Sequence, residues 1–265
     1  MKAYAKINLS LDILNKRKDG FHNLNSVMRQ IDLSDELEFS ELDEVIVESP
    51  IKEDIVLKTA LKLKQLFSVK KGIKIKIKKN IPISSGLGGG SSDAALTLLV
   101  LNKLWDLGLK TDYLVKIAAD LGADIPFFLY NKCSFVSGTG DEVVPMQGTE
   151  MNILLINPGY AISTKEAYNQ LDKKEHGKKK NSLKLKNKKE IKEIASLLHN
   201  DFIAIQKQDV LDIIDEIKKN GALNASITGK GPTVFGIFKN RKKAQQAYEA
   251  LKNQYPFVYL TRTLT

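Results

Sequence analysis

The chain of 265 residues has one cysteine, Cys133, three histidines and one tryptophan. A lone cysteine excludes an intrachain disulfide framework and suits a reducing cytoplasm. So few Cys and His argue against a Cys/His metal site. No apolar run reaches the roughly 20 residues that a spanning helix needs, so no membrane association is expected. The opening residues, Met1-Lys2-Ala3-Tyr4-Ala5-Lys6, lack the apolar core of a secretory signal.

Two common glycine-rich fingerprints are also missing. A Walker loop needs a lysine after its last glycine, and Ser91 follows Gly90. The dinucleotide spacing G-x-G-x-x-G, started at Gly86 and Gly88, requires a glycine where Ser91 stands.

What is present is ordinary in bulk. Hydrophobic residues make up 43% and charged residues 27%, which suits a globular chain of one large domain or two small ones. The net charge of +10 admits nucleic acid or an anionic small molecule as partner. Much of the excess is local: residues 173–189 hold nine lysines. That run reads as a solvated, mobile loop. It has no interleaved aromatics, which argues against a nucleic-acid platform.

The densest signal is Pro82-Ile83-Ser84-Ser85-Gly86-Leu87-Gly88-Gly89-Gly90-Ser91-Ser92, ahead of a long apolar run. Glycines let successive N–H groups converge, and a following helix adds its positive end. Together they make a phosphate cradle, with hydroxyls available to phosphate or to its magnesium. The alternative is a flexible loop with Ser91 or Ser92 as N-cap.

Residues 3–13 alternate. Ala3, Ala5, Ile7, Leu9, Leu11 and Ile13 share one face, and Tyr4, Lys6, Asn8, Ser10 and Asp12 share the other. Period two predicts a half-buried strand. Further strands are expected at 26–33, 36–40, 44–48 and 73–78, and helices at 54–67, 94–105 and 112–121. Gly122 should close the third helix at its C′ position, and Ile125, before Pro126, should be extended. Residues 133–137 and 141–144 read as a hairpin.

A second unit starts near Thr149. It has a strand at 153–156 and a capping box, Ser163-Thr164-Lys165-Glu166, opening a helix that carries Tyr168. Helices follow at 190–199 and 209–219, strands at 224–228 and 233–238, a helix at 241–253 and a last strand at 257–263. The order approximates β-α-β-β-α-β, a ferredoxin-like half.

Three motifs in order now carry a family resemblance: Ala5-Lys6-Ile7-Asn8-Leu9, the loop from Pro82 to Ser92, and Thr228-Gly229-Lys230-Gly231-Pro232-Thr233. With them the chain resembles the GHMP kinases nearly end to end. The resemblance implies an α+β, two-domain GHMP kinase fold. Residues 1–149 would form a nucleotide-binding domain with a left-handed βαβ unit, and residues 150–265 a ferredoxin-like substrate domain. Asp19-Gly20-Phe21-His22, Leu121-Gly122-Ala123-Asp124-Ile125-Pro126 and Asn157-Pro158-Gly159 point within the family to one substrate class. That class is a cytidine-diphosphate-linked methylerythritol of the non-mevalonate isoprenoid route.

The implied reaction moves the γ-phosphoryl of ATP, carried with Mg2+, onto the 2-hydroxyl of that substrate. Asp124 would accept the proton, and Lys6 would pair with Asp124 and steady the transferring charge. Without the resemblance, Asp124 reads first as a cap of a short helix, and Lys6 as a solvent-facing strand lysine. Asn8 would help place the substrate and His22 would contact the cytosine. Phe21, where the family often has Tyr, and Tyr168 would sandwich the base, and Thr164 would touch the diphosphate. Both aromatics could instead be core. Lys230 departs from the small residue common between these glycines and is assigned no role. The expected enzyme binds no nucleic acid and is a monomer or homodimer. The alternatives are a GHMP kinase for mevalonate, homoserine or a sugar, a kinase-like protein without catalysis, and a basic RNA-binding protein.

Overall fold

The protein is described as a computed structural model covering residues 1–51, 54–130 and 132–265. Its elements in chain order are β1 (Lys2–Lys16), β2 (His22–Leu42), β3 (Val45–Glu48), α1 (Ile55–Leu66), β4 (Gly72–Lys78), α2 (Gly89–Leu104), α3 (Thr111–Leu121), α4 (Ile125–Leu129), β5 (Cys133–Ser137) and β6 (Glu142–Pro145). There follow β7 (Asn152–Asn157), α5 (Thr164–Leu171), α6 (Asn181–Leu185), α7 (Ile191–Ser196), β8 (His199–Asn200), a 3-10 turn (Asp201–Ile205), α8 (Gln208–Lys219), β9 (Asn224–Ile227), β10 (Val234–Phe238), α9 (Arg241–Leu251) and β11 (Phe257–Arg262).

The chain divides into two compact units, and β1 and β2 each contribute to both. One unit holds Met1–Ala5, Leu33–Ile83 and Gly88–Asn131. In it the last part of β2 pairs antiparallel with β4, from Glu36 opposite Lys78 to Leu42 opposite Gly72, and β4 pairs parallel with β3. The Ile-Lys alternation of β4 buries Ile73, Ile75 and Ile77 and turns the lysines outward, as period two requires. Helix α1 packs on α2, and α2 and α3 both pack on α4. Leu63, Ala94, Leu98, Leu101 and Phe127 fill the space between the elements.

The other unit holds Lys6–Asp32, Ser84–Leu87 and Lys132–Thr265. The first part of β2 pairs with β5, which makes a hairpin with β6. Strand β1 pairs parallel with β8 through Ser10 and Leu11. A four-stranded antiparallel sheet runs β11-β7-β10-β9. Only β9 and β10 are neighbours both in sequence and in this sheet; the stretch from β7 to β9 and the α9 crossover each return to a different edge. Helix α8 shows why it docks: Val210, Ile213, Ile214 and Ile217 repeat at helical spacing and are all buried.

Several local expectations change. The strands expected at 26–33 and 36–40 are one strand, because Asp35 keeps the alternation going as a buried residue. Strand β1 is buried on both faces, with Lys6, Asn8, Ser10 and Asp12 each at 2% exposure or less. Its polar face is covered by other polar groups of the same unit, so alternation did not mean solvent. Helix α2 begins at Gly89, five residues before the apolar run, with left-handed Gly88 (φ 71°) as N-cap rather than Ser91 or Ser92. Gly122 is extended at φ 174°, not left-handed. Ile125 opens α4 instead of standing extended; Pro126 fits the first turn, where no N–H is required. The lysine run is not all loop: α6 lies within it, and Ser182 is fully buried.

Candidate active site

Polar side chains along β1 build the site in the second unit. Asn8 is 1% exposed, and both ends of its amide are hydrogen-bonded. Its Oδ1 accepts from Lys6 Nζ at 2.6 Å, from the Gly229 N–H at 2.9 Å and from Thr228 Oγ1 at 3.3 Å. Its Nδ2 donates to Ser26 Oγ at 2.8 Å, and its backbone N–H donates to Thr228 Oγ1 at 3.2 Å. Asn8 thereby ties β1 to β2 and to the turn after β9.

The glycine loop is drawn into the same knot. The Lys6 N–H donates to the Leu87 carbonyl at 2.9 Å, and Thr228 Oγ1 reaches the Gly86 carbonyl at 3.1 Å. Gly86 has φ +84°, and a Cβ there would stand 2.2 Å from the Thr228 carbonyl oxygen. Only glycine allows both the backbone angle and that approach. At Gly229 a Cβ would lie 3.1 Å from the Gly86 carbonyl oxygen and 3.4 Å from Lys6 Nζ. Three segments far apart in sequence, each carrying one of the motifs, therefore meet around Lys6 and Asn8.

Beyond Asn8 the polar face of β1 continues. Ser10 Oγ meets Ser182 Oγ at 2.6 Å, and the Ser182 N–H donates to Asp12 Oδ2 at 3.0 Å. Burial pushes the Asp12 carboxyl up, against the lowering effect of the Ser182 bonds. Burial acts the same way on Asp201, but His199 and the N–H groups of Ile13 and Gly177 outweigh it and hold that carboxyl down. These bonds fasten the lysine-rich segment to β1.

A second group gathers at the end of β1. His22 is 6% exposed, stacks on Tyr168 at 4.8 Å between centroids, and bonds Asp172 Oδ1 through Nε2 at 2.6 Å. Asp172 also takes Lys16 Nζ at 2.6 Å. Lys16 first, and His22 after it, hold the Asp172 carboxyl below the usual carboxylate range. Tyr168 meets the buried Phe202 edge-on at 5.0 Å. Phe21 is 65% exposed, an aromatic surface presented to solvent beside His22 in the chain. Thr164 opens α5 behind its Ser163 cap, and its Oγ1 accepts from Lys230 Nζ at 2.5 Å.

The remaining candidates belong to the first unit. Pro82 and Ile83 precede the loop, and Gly88, Gly89, Gly90, Ser91 and Ser92 carry it into α2. No side chain caps α2, whose N-terminus is the positive end of a 16-residue helix. Asp124 is the N-cap of α4, yet its side chain makes no capping bond. Capping therefore does not account for this carboxylate. Among the described residues no group of three or more His, Cys, Asp or Glu is arranged to hold a metal.

Residues 54–132 match the family description "GHMP kinases N terminal domain", and residues 180–256 match "GHMP kinases C terminal". A protein of Caldanaerobacter subterraneus subsp. tengcongensis, named 4-diphosphocytidyl-2-C-methyl-D-erythritol kinase, is 40% identical over 278 residues, covering 100% of this chain and 96% of the relative. The chain belongs to the GHMP kinases. A relative of the same name from Clostridioides difficile is 39% identical, with 99% of this chain and 94% of its own covered. The fold of this GHMP kinase also superposes on solved structures. A 4-(cytidine 5'-diphospho)-2C-methyl-D-erythritol kinase gives a TM-score of 0.82 at 24% identity, covering 100% of this chain and 99% of that one. A mevalonate pyrophosphate decarboxylase from Streptococcus pyogenes gives 0.73 at 14% identity, covering 100% and 96%. The α+β GHMP kinase fold expected from the sequence is thus established. That a decarboxylase shares it means that the fold alone does not choose the reaction.

Sequence reasoning missed Asp172, Ser182, Asp201 and Ser26. Asp172 carries no signal beyond an acidic residue at a helix end, and Ser182 lay hidden among lysines. Asp12 was legible only as one more polar residue on the Lys6 face.

Proposed function

We propose that this chain transfers the γ-phosphoryl of ATP to the 2-hydroxyl of 4-diphosphocytidyl-2-C-methyl-D-erythritol, giving the 2-phosphate, ADP and a proton. The observation that carries the proposal is the junction at Asn8, where strand, glycine loop and late turn converge on the Lys6 ammonium. The names of the relatives, at about 40% identity over the whole chain, support the choice of substrate.

Phosphoryl transfer needs positioning, charge neutralisation and a proton acceptor. In this reading the residues from Pro82 to Ser92 hold the triphosphate through backbone N–H groups and hydroxyls. Asp124 orients the acceptor hydroxyl and takes its proton, and Lys6 stabilises the transferring group. Asn8 positions Lys6. At the other end His22, fixed by Asp172 and Tyr168, bonds the cytosine, Phe21 and Tyr168 supply aromatic surface for the base, and Thr164 contacts the diphosphate. Magnesium would arrive on the triphosphate, held by phosphate oxygens and the loop serines. Residues 1–149 form the ATP-binding domain, which also lends Phe21 and His22 to the cytosine, and residues 150–265 form the substrate domain. Among the described residues no helix is long and apolar enough to cross a membrane. We place the enzyme in the cytoplasm, as a monomer or homodimer acting on a small molecule and not on nucleic acid. Its single buried cysteine suits that setting.

The test is ADP release from magnesium-ATP with a panel of acceptors: the cytidylated compound, free methylerythritol phosphate, mevalonate and homoserine. Turnover of the first alone is expected. Turnover of mevalonate or homoserine in its place would overturn the substrate assignment while leaving the family intact.

A further inference from the structure

Both ends of the glycine loop meet one buried charge cluster in the first unit. Lys79 follows β4, and its ammonium bonds Asp35 on β2 and Asp93 in α2, the latter at 2.7 Å. The side chains of Asp35, Asp93 and Lys79 are 0%, 2% and 9% exposed. Asp35 uses its other oxygen on the backbone: Oδ1 accepts from the N–H groups of Asn80 at 2.6 Å and Ile81 at 2.8 Å. One carboxylate thus holds the chain entering the loop, and one ammonium ties it to the residue just past Ser92.

The arrangement is costly. Two carboxylates around one ammonium leave a net negative charge in a dry place, where an apolar trio would be cheaper to bury. Burial pushes Asp93 up to about 7 against the pull of Lys79, and Asp35 and Asp54 add to the rise. Asp93 Oδ1 is buried without a hydrogen-bond partner. The start of α2 rests directly on the cluster: a Cβ on Gly89 would lie 3.1 Å from the Ile81 side chain and 3.3 Å from Asp35 Oδ2. A buried ionic set fixes direction and distance in a way that apolar packing does not.

We propose that Lys79, held between Asp35 and Asp93, is a positioning residue for the nucleotide: it sets the separation of the loop's two ends and thereby the affinity for the triphosphate. This rests on the kinase reading above. A cluster that served stability alone would change the melting temperature and the fraction of active enzyme, not the KM for ATP.

The experiment compares full-length Lys79→Met, Lys79→Arg and Asp93→Asn with wild type, by steady-state kinetics in both substrates and by calorimetric titration of ADP alone. Lys79→Met should raise the KM for ATP about tenfold or more, leave the KM of the acceptor within about twofold, and be partly rescued in Lys79→Arg. Lys79→Met leaves two buried carboxylates facing each other and can fail to fold. Asp93→Asn keeps a neutral Lys79–Asp35 pair and should still weaken ADP binding about threefold or more. Unchanged nucleotide affinity in a folded Asp93→Asn or Lys79→Met, with only the melting temperature lowered, would overturn the proposal. A wild type that neither binds ADP nor consumes ATP would overturn the kinase reading itself, and this inference with it.

Discussion

Lys6 donates from Nζ to Oδ1 of Asn8 at 2.6 Å, two residues along the same strand and on the same face. The bond sets the direction of the ammonium without neutralising it. Asn8 also accepts from the Gly229 N–H, so the place of the ammonium is coupled to the turn that closes over it.

Replacing Asn8 by alanine should therefore harm both rate and stability. The Gly229 N–H loses its buried acceptor, at a cost of about 1–3 kcal/mol, and Lys6 and Ser26 each lose one partner. The expected outcome is a kcat at least about tenfold lower together with a clearly lower melting temperature. Steady-state kinetics and thermal unfolding on one preparation check it.

Asp124→Asn should separate the two effects. Its side chain makes no capping bond to α4, so the change leaves the start of that helix intact. The kcat should fall at least about 10²-fold, the low end for a positioned acid or base. Near-normal turnover would remove Asp124 from the chemistry.

Gly86→Ala places a methyl group 2.2 Å from the Thr228 carbonyl oxygen at φ +84°. Either the loop or the late turn must move. A loss of about 1–3 kcal/mol is expected from the backbone angle alone. ADP affinity should fall as well, which calorimetric titration reads directly. Gly20, also at positive φ (+87°) but with open space around it, serves as the comparison: Gly20→Ala should lower stability and leave ADP affinity unchanged.

Asp172→Asn tests the cytosine end. The mutation takes the charge from the partner of His22 Nε2 and weakens its hold on the ring, so the KM for the cytidylated substrate should rise several-fold while that for ATP stays put. The pH dependence has a definite sign. Asp172 is held below its ordinary range, so its contribution to stability is present above about pH 4 and is lost as pH falls through the lower folded value. The pair with Lys16 is partly exposed, so the contribution is small and screened by salt. Acid unfolding at low and high salt should show the mutant less sensitive to both.

Asp12 has the opposite sign. Burial raises its carboxyl, so its contribution is fully present below about pH 4 and declines as pH rises through the folded value. Asp12→Asn should flatten the loss of stability as pH rises above about 4, read by urea unfolding at several pH values.

Most elements were written in the local pattern. The Ile-Lys repeat of β4, the Ser163 capping box before α5 and the spacing of α8 each carry a period or a cap that one segment holds by itself. The order of β7, β9, β10, β11 and their helices was legible for the same reason, and the linked motifs disclosed the family. Tertiary structure decided what the polar face of β1 looks at. Alternation says that Lys6, Asn8, Ser10 and Asp12 share a side, but not that Thr228, Ser26 and Ser182 arrive from more than a dozen residues away to bury it. It also decided where α2 begins, because the φ of Gly88 and the packing of Gly89 on Ile81 and Asp35 depend on segments that the loop meets only when folded. Periodicity is local and survives in one dimension; the partner of a buried charge is a long-range fact that exists only once the chain has closed on itself.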